Sequence, residues 1–408
     1  MLAPPRARAA IAATTNSTTI TSTAPTASKV AARVRGVDED LASVRDLAAK
    51  IFADRAEVER VREVENAEGG HDRQLWKVLA DTGLLAIALP ERLGGSGLGM
   101  LGLITLLQQQ GRRVAPVPLW ATLATAALPL AEFGTPEQVK QWLPGLLDGS
   151  ALLTGAFDTA PGQQAAVSAV ADGEGWLLSG ELFSVPAAAV ADAILVPALL
   201  ESGELAVFIV PTDQAGVVIT PLEVTNRESN AAVTLTGVAA SAAQRLPGDG
   251  VAIVAWTRRR ARLALSALQL GVCEEALRMT AVYTSERVQF GRPLSTNQAV
   301  AVRAADAYLD TESIRLTTQR AAWLMDTGCE DEAAEATLVA KYWASRGGLR
   351  AVRATQHLHG GIGADIDYPI HRYFLWGRHI AFTLGSGADV TAELADALEE
   401  GAPSGAPA

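Results

Sequence analysis

Residues 353–389 read RATQHLHGGIGADIDYPIHRYFLWGRHIAFTLGSGAD. Residues 340–359, which overlap the start of this segment, form a predicted helix because apolar residues recur there at helical spacing among charged ones. The helix runs into Gly360-Gly361-Ile362-Gly363, where glycine permits a positive φ and lets backbone N–H groups approach an anionic group. The segment therefore predicts either a plain helix C-terminal cap or a phosphate-binding turn.

A second motif lies upstream, after a long helical pattern that begins near residue 251: Arg287-Val-Gln-Phe-Gly-Arg-Pro-Leu294, followed by Gln298. Together with His357-Leu-His-Gly-Gly-Ile-Gly363, this motif resembles the acyl-CoA dehydrogenase family. The resemblance implies that the two pieces bind FAD, largely across a subunit interface. Residues 83–99, GLLAIALPERLGGSGLG, are similar to the family's G-L-L-x-x-x-x-P-E-x-x-G-G-x-G motif, so the resemblance covers roughly residues 38–398.

The fold class that this resemblance implies is α+β, with an N-terminal α-helical domain, a middle small β-barrel domain and a C-terminal four-helix bundle. Periodicity predicts the same order, with helical spacing in residues 38–150, short β-rich runs in residues 151–248 and long helical patterns in residues 249–398. Residues 1–37, rich in Ala, Thr and Ser, are predicted to be a disordered leader, and residues 399–408 a disordered tail.

Individual elements follow from the same patterns. Thr135, followed by Pro136, is a predicted helix N-cap. Short strands at this spacing predict a β domain of its own and exclude the alternating βαβ units of a Rossmann fold. The predicted strands are residues 176–185, 193–197, 205–210, 216–220 and 232–236. The predicted C-terminal helices are residues 251–287, 299–327, 331–359 and 370–398.

Composition excludes several classes of function. The net charge of −11, with scattered signs, argues against a nucleic-acid or an anionic membrane partner, and no apolar run reaches the ~20 residues needed to span a bilayer. Cys273 and Cys329 both lie in helical patterns and are interpreted as small buried side chains, which fits a reducing, cytoplasmic location. The five histidines show no metal-binding spacing, so no metal site is predicted.

The reaction that the resemblance implies is α,β-dehydrogenation of an acyl-CoA, with an electron-transfer flavoprotein as electron acceptor. This reaction needs a carboxylate that removes the α proton, held beside a flavin. In most of the family this carboxylate is a Glu in the loop before the last helix, and the corresponding position here is Gly385. Other members carry it on the first C-terminal helix, where this chain has Ala261. No catalytic residue is therefore assigned, and Asp389 and Glu393 are interpreted as the acidic start of a solvated helix.

The predicted β domain also differs from the family at the positions that would contact a flavin. The resemblance implies an aromatic residue and a hydroxyl residue against the isoalloxazine, and these positions hold Ser184 and Pro186. Proline has neither a hydroxyl nor a backbone N–H. Phe183 is the alternative stacking group if the register shifts by one residue. Family members usually carry T-E-P-x-A-G-S-D on the loop after their first strand, and the corresponding segment here, Phe157-Asp-Thr-Ala-Pro-Gly-Gln-Gln164, also differs.

The motifs that remain are those that the family uses for the ADP half of a neighbouring subunit's FAD. In this interpretation Arg287 faces the pyrophosphate, Phe290 faces the adenine, and the glycines offer open N–H groups. The predicted cofactor-binding residues are Arg287, Phe290, Gln298, Gln356, His357, Gly360 and Gly361.

The sequence thus predicts a non-catalytic subunit of a heteromeric, α₂β₂ acyl-CoA dehydrogenase whose partner chain carries the catalytic Glu and shares the FAD. The pattern, including Asp367-Tyr-Pro-Ile-His-Arg-Tyr373, resembles actinobacterial members that act on CoA thioesters from steroid degradation. Two alternatives stay open: an active homotetramer with a displaced carboxylate base, and a non-enzymatic acyl-CoA-binding or scaffold protein.

Overall fold

The N-terminal region of the fold is helical. The computed structural model describes residues 27–67, 69–159 and 163–400, and the predicted leader up to residue 26 and the tail from residue 401 lie outside this part. The N-terminal helices are α1 (Ala27–Arg55), α2 (Val58–Glu65), α3 (Arg73–Asp81), α4 (Gly99–Arg113), α5 (Leu119–Thr122), α6 (Leu128–Phe133) and α7 (Pro136–Asp148). Helix α1 begins upstream of the predicted boundary at Asp38, so it extends into the predicted leader.

Local capping determines where two of these helices begin. Thr135 forms a capping box with Gln138: the Thr hydroxyl accepts from the Gln138 backbone N–H, and the Gln138 side chain accepts from the Thr135 N–H. This confirms the predicted N-cap. Asp72 caps α3 by accepting from the backbone N–H groups of Gln74 and Leu75.

The middle region is a curled seven-stranded sheet, in agreement with the predicted β domain. Its strands are β1 (Leu153–Gly155), β2 (Val167–Asp172), β3 (Gly175–Pro186), β4 (Ala193–Leu200), β5 (Leu205–Pro211), β6 (Val217–Pro221) and β7 (Asn230–Ala240). They are ordered β1-β4-β2-β3-β7-β6, with β5 on the other side of β4. The short strands β1 and β2, which the sequence analysis missed, pair with β4 in parallel, and the other pairs are antiparallel.

Strands β4 and β5 join the sheet to the helices. Ile194 and Phe208 belong to the core inside the sheet, whereas Leu195 and Val207 belong to the core shared with the helices. Alternate side chains of these strands therefore reach two different apolar cores, and almost every residue of both strands is buried.

The C-terminal region contains long helices: α8 (Gly250–Glu286), α9 (Gln298–Asp326), α10 (Glu330–Tyr342), α11 (Gly348–Leu358), α12 (Ile370–Phe382) and α13 (Gly387–Glu400). A π-helical turn, Trp343–Gly347, links α10 to α11. Helices α4 and α8 pack closely at Gly111 and Gly271, because a Cβ at Gly271 would lie 2.0 Å from the Gln108 carbonyl oxygen.

The prediction of one helix over residues 370–398 is wrong, because the chain breaks between α12 and α13. Leu384 and Gly385 have φ angles of 56° and 106°, in the left-handed region that ends a helix. The Asp389 carboxylate then accepts from the Ser386 N–H at 2.8 Å, at the start of the next helix. The break places Gly385 in a loop rather than within a helix.

Candidate functional site

The Arg287 motif folds as an exposed hairpin after α8. Strands β8 (Val288–Gln289) and β9 (Arg292–Pro293) pair, and the Leu294 N–H closes the hairpin by donating to the Arg287 carbonyl at 2.9 Å. Its tip consists of Phe290 and Gly291, with φ angles of 52° and 75°. A left-handed backbone costs a residue other than glycine about 1–2 kcal/mol. Phe290 adopts it although its side chain is 96% exposed, so burial within this chain does not compensate for the strain.

The glycine motif folds as a 3₁₀ helix, Gly360–Ala364, at the end of α11. Gly360 has a φ of 66°, which favours glycine in its own right. Gly361 has no positive φ, and a Cβ placed there would meet no atom of the described residues within 4 Å. Neither backbone conformation nor packing inside the chain therefore requires glycine at position 361.

Tyr283 and His359 hold the two motifs at one end of the C-terminal helices. Their rings stack with centroids 4.5 Å apart, and the Tyr283 hydroxyl donates to the His359 carbonyl at 3.2 Å. Tyr283 also accepts the Arg287 N–H on its carbonyl, and His359 immediately precedes Gly360. The stacked pair therefore connects the hairpin to the glycine turn.

His359, which the sequence analysis did not select, is the buried histidine of the motif, whereas the predicted His357 is exposed. Its Nδ1 lies 2.8 Å from the Thr355 carbonyl, which accepts only, so Nδ1 carries the proton. Burial lowers the pKa of the ring. A neutral His359 thus supports the turn from inside, and the only signal for it in the sequence is its place directly before the glycines.

The predicted cofactor contacts are on the surface at this end of the fold. Exposed positions are Arg287, Phe290, Gln298, His357, Gly360 and Gly361. Gln356 is half-buried, and its side-chain amide donates to the Gly363 carbonyl at 3.0 Å, which stabilises the turn. Arg287 forms no ion pair with any described residue. An unpaired cation, an exposed aromatic ring and an open glycine turn are together suited to a nucleotide with an anionic pyrophosphate.

The positions that the resemblance places beside the isoalloxazine line only a small cavity. Ser184 and Pro186 line a cavity together with Thr383 and Leu384, which directly precede Gly385. The structure therefore brings together the positions that sequence analysis placed beside an isoalloxazine and a catalytic base. The cavity volume is about 40 Å³. Pockets for cofactors usually measure roughly 300–1,000 Å³.

Hydrogen bonds fix the position of the loop at Leu384, which lines this cavity. The Leu384 N–H donates to the Asp158 carboxylate at 3.0 Å, and the Leu384 carbonyl accepts from Arg262 Nε at 2.9 Å. Arg262 is buried and forms two 2.6 Å hydrogen bonds with Glu393. A Cβ at Gly385 would lie 3.4 Å from Arg262 Nη2, so the guanidinium occupies the space beside the missing side chain.

Nearby carboxylates are engaged in structural contacts. The Ser386 backbone N–H lowers the pKa of Asp389. Burial raises the pKa of Glu393, but its hydrogen bonds and charge interaction with Arg262 outweigh this effect, and the net pKa is lowered. Ala261 is fully buried and Gly385 has no side chain, so neither predicted catalytic position holds a proton-transferring group.

Two titratable groups with shifted pKa values, the half-buried Glu228 and the buried Lys341, were missed because no motif contains them. The Glu228 carboxyl lies below the surface near Pro186 and Asn230, and burial raises its pKa to about 8 although Asn226 donates to it at 2.5 Å. The Lys341 ammonium donates to the Ile380 carbonyl at 2.7 Å. Burial, together with the charge of Arg262, lowers the pKa of Lys341 to about 7.

Metal-ligating and membrane-spanning features are absent from the part of the chain that the structure describes. No cluster of three His, Cys, Asp or Glu side chains there is placed to hold a metal ion. None of the described helices is both long and apolar enough to cross a bilayer. Cys273 is buried in α8 as expected, but Cys329 is half-buried and precedes α10, outside the helical pattern assigned to it.

Comparison with known proteins gives a consistent result. Family models described as the N-terminal and C-terminal domains of acyl-CoA dehydrogenase match residues 38–150 and 248–397. Acyl-CoA dehydrogenase FadE27 of Mycobacterium tuberculosis is 40% identical over 333 residues, which cover 80% of this chain and 88% of that protein. A solved Tcur3481–Tcur3483 steroid ACAD variant superposes with a TM-score of 0.83 at 46% identity, over 90% of this chain and 99% of its own. The ChsE4–ChsE5 complex of M. tuberculosis superposes with a TM-score of 0.84 at 37% identity, over 89% and 98%.

Proposed function

Since the chain belongs to the acyl-CoA dehydrogenase family, we propose that it is a subunit of a heteromeric enzyme in which it completes the FAD site of a partner subunit. The observation that carries this proposal is the exposure of Phe290 and Gly361, in two motifs that the contact between Tyr283 and His359 connects. A strained, 96% exposed aromatic ring and a glycine that its own chain does not require are both explained by another molecule that lies against them.

In this proposal, each residue of the surface contacts a different part of FAD. Arg287 contributes an unpaired positive charge to the pyrophosphate, Phe290 an apolar face to the adenine, and Gly360 and Gly361 backbone N–H groups that no Cβ shields. The neutral His359 and Tyr283 keep the two motifs adjacent. When bound, FAD supplies the acceptor for the hydride that α,β-dehydrogenation removes.

The small cavity supports a non-catalytic role for this chain. Its volume of about 40 Å³, with Ser184 and Pro186 on its wall, leaves little space for a flavin ring in the chain's own half-site. Gly385 and Ala261 supply no base. The partner subunit would therefore provide the catalytic Glu and the isoalloxazine pocket, and the assembly would be an α₂β₂ tetramer.

The descriptions of similar solved structures support a proposal for the substrate class. One of the similar solved structures is described as a steroid ACAD, and another is a complex of two differently named chains. A CoA thioester derived from a steroid is therefore the proposed substrate class, and a second acyl-CoA dehydrogenase chain the proposed partner. An electron-transfer flavoprotein as acceptor and a cytoplasmic location stay predictions.

The active homotetramer is less well supported by the described carboxylates. Asp389 and Glu393 have lowered pKa values and fixed hydrogen-bond partners, which fits structural roles. Burial raises the pKa of Glu228 to about 8, which favours its protonated form at neutral pH and makes it a poor base there. A scaffold protein without FAD is supported by no specific contact, and it becomes one outcome of the experiment below.

The test replaces Gly361 with Ala in this chain, within the complex purified with its partner subunit. A methyl group at this position touches nothing in the chain and suits a helix, so the thermal stability of the chain alone should not fall. The FAD-to-protein ratio and the affinity for added FAD should both decrease. Phe290→Ala should also lower the affinity for FAD. It should not destabilise the chain, because the Phe290 side chain is exposed and its removal adds no strain to the turn.

Lys140→Ala is a matched surface control, because Lys140 is exposed on α7, outside both motifs. It should leave flavin content unchanged. Wild-type flavin content in both the Gly361 and Phe290 variants would remove the trans-binding role. One tightly bound FAD per chain in the protein purified alone would support the homotetramer, and a partner complex without any FAD would support the scaffold.

A further inference from the structure

A polar cavity lies between helices α1, α4, α8 and α9, away from the two motifs that the sequence analysis assigned to FAD. Its volume is about 480 Å³, within the roughly 300–1,000 Å³ of sites that hold small molecules. Four of the side chains that line it are arginines: Arg45 of α1, Arg112 and Arg113 of α4, and Arg315 of α9. We call this space the arginine cavity.

Two of the arginines are held by carboxylates of α8. The Glu274 carboxylate lies 2.6 Å from Arg315 Nη2 and 3.6 Å from Arg112 Nη1. The Gln108 amide donates to both Glu274 oxygens, and Glu275 pairs with Arg112 at 3.4 Å. Arg112 and Arg315 therefore have partners within the fold, and the Glu274 carboxylate is already surrounded by donors.

Three other donors at the cavity have no comparable partner. Arg113 is exposed and forms no ion pair with any described residue. Arg45 pairs with its neighbour Asp46, but both side chains are more than half exposed, so this pair contributes little to stability. Gln109 is 5% exposed, and its side-chain amide forms no hydrogen bond within the part of the chain that the structure describes. Four arginines and two carboxylates, Asp46 and Glu274, give the lining a net charge of +2.

Helix stability explains only part of this arrangement. Arg112 and Arg113 lie in the last turn of α4, where basic side chains favour the negative end of the helix dipole. That role involves neither Arg45, which belongs to another helix, nor Gln109, which lies one turn before Arg113 on the same face. A buried amide without a partner costs stability, so most such groups in proteins are hydrogen-bonded. A ligand in the cavity would supply the missing partner of Gln109.

The free donors indicate the chemistry of this ligand. Guanidinium and amide N–H groups bind oxyanions, and the planar guanidinium forms paired hydrogen bonds with phosphate or carboxylate oxygens. A phosphate monoester carries a charge of about −1.5 to −2 on three acceptor oxygens, whereas a carboxylate carries one charge on two. The net charge of the lining and its three unused donors therefore fit a phosphate group better than a carboxylate.

We propose that the arginine cavity binds a small phosphorylated molecule whose phosphate group contacts Arg45, Gln109 and Arg113. The volume of the cavity exceeds that needed for these contacts and accommodates the rest of the ligand. Because Arg45 belongs to α1 and the other two residues to α4, the bound ligand ties these helices together. The site goes beyond the proposed function and does not depend on it.

The first test titrates inorganic pyrophosphate into the full chain at constant ionic strength and measures binding by calorimetry. The chain carries Arg287→Ala as a background substitution, because Arg287 offers a second place for the same anion. One pyrophosphate should bind per chain, and the melting temperature should rise with its concentration, since a ligand of the folded state stabilises it. Absence of binding in this titration overturns the proposal.

Two variants locate the site. Arg113→Gln should weaken pyrophosphate binding about ten- to a hundredfold, as expected for a lost charge-assisted hydrogen bond. Gln109→Leu should weaken it about three- to tenfold, while the melting temperature without ligand should not fall, because leucine removes an amide that has no partner. A purely structural Gln109 predicts the reverse, a lower melting temperature with unchanged affinity. That result, or unchanged affinity in Arg113→Gln, overturns the site.

Arg303→Gln is the matched control for charge. Arg303 is exposed on α9, outside the cavity and about 18 Å along the helix from Arg315. The substitution should leave pyrophosphate affinity unchanged, and a loss as large as that in Arg113→Gln would mean a general charge effect rather than a site. Citrate, a polycarboxylate titrated in the same way, should bind more weakly than pyrophosphate. Tighter binding of citrate overturns the assigned class of ligand.

Discussion

Replacing Lys341 with Met tests whether a buried lysine is neutral in the folded chain. Lys341 is fully buried, and its only hydrogen bond among the described residues goes to the Ile380 carbonyl. Its pKa falls from 10.5 to about 7 on folding, mainly because of burial. Each pKa unit corresponds to about 1.4 kcal/mol. The lowered pKa of Lys341 therefore reduces the free energy of unfolding by about 4 kcal/mol at pH 7.

The sign of the pH dependence follows from proton binding. Between pH 7 and pH 10.5 the unfolded chain holds a proton on Lys341 that the folded chain lacks, so this group makes the free energy of unfolding rise with pH. The slope from this residue is at most about 1.4 kcal/mol per pH unit. Methionine removes the slope, and it also removes the hydrogen bond to Ile380, which leaves a carbonyl unpaired at a cost of about 1–3 kcal/mol.

The two effects oppose each other, and their balance changes with pH. Lys341→Met should be more stable than wild type by about 1–3 kcal/mol at pH 7, and less stable above a crossing point near pH ~9. Urea unfolding followed by circular dichroism at several pH values measures this difference. Lys140→Met, on the surface of α7, is the matched control and should show no crossing.

Parallel stability curves for wild type and Lys341→Met from pH 7 to pH 10 would refute this account of Lys341. Such curves would mean that the ammonium is charged inside the fold, stabilised by neighbours other than the Ile380 carbonyl. Destabilisation by the methionine at every pH by a constant amount would lead to the same conclusion.

Further predictions concern the surface that we propose binds FAD, at Arg287, and the small cavity next to Gly385. Arg287→Ala should weaken FAD binding by the complex about ten- to a hundredfold, as expected for a lost charge-assisted hydrogen bond of about 1.5–3 kcal/mol; an unchanged dissociation constant for FAD would show that Arg287 does not contact it. Gly385→Glu should not produce dehydrogenase activity in the purified chain and should lower its melting temperature, because a φ of 106° strains any side chain; strong activity towards acyl-CoA would mean that the chain's own half-site is functional. Glu393→Gln should lower the free energy of unfolding by about 1–2 kcal/mol, since Arg262 is buried while Glu393 is partly exposed, and a chemical denaturation series with no change in midpoint would contradict this.

Much of the architecture is encoded in local patterns. The helical period in α4 and α8, the turn-separated β runs and the Thr135 capping box depend on residues within a few positions of one another, and the structure confirms them. The identities of Gly385, Ala261, Ser184 and Pro186, the positions where the resemblance implies a base and flavin contacts, are likewise read from the sequence. Periodicity was enough to predict the order of helical, β and helical regions, and the resemblance of the motifs implied the acyl-CoA dehydrogenase fold that the family models match.

Other features depend on contacts between residues far apart in the chain. The short strands β1 and β2 are stabilised by β4, and no pattern of their own marks them. The break after α12 is held by Asp158 and Arg262, which lie more than a hundred residues upstream of Leu384. The pKa values of Lys341 and Glu228 are set by burial that other elements create.

The surface proposed to bind FAD shows the same division. The sequence contains the Gly360-Gly361 pair. Only the tertiary structure shows that Gly361 has empty space beside it among the described residues. Spacing along a helix determines which residues share a face, but the packing of the other elements decides which face is covered. That choice depends on residues far apart in the chain, and it leaves this surface open.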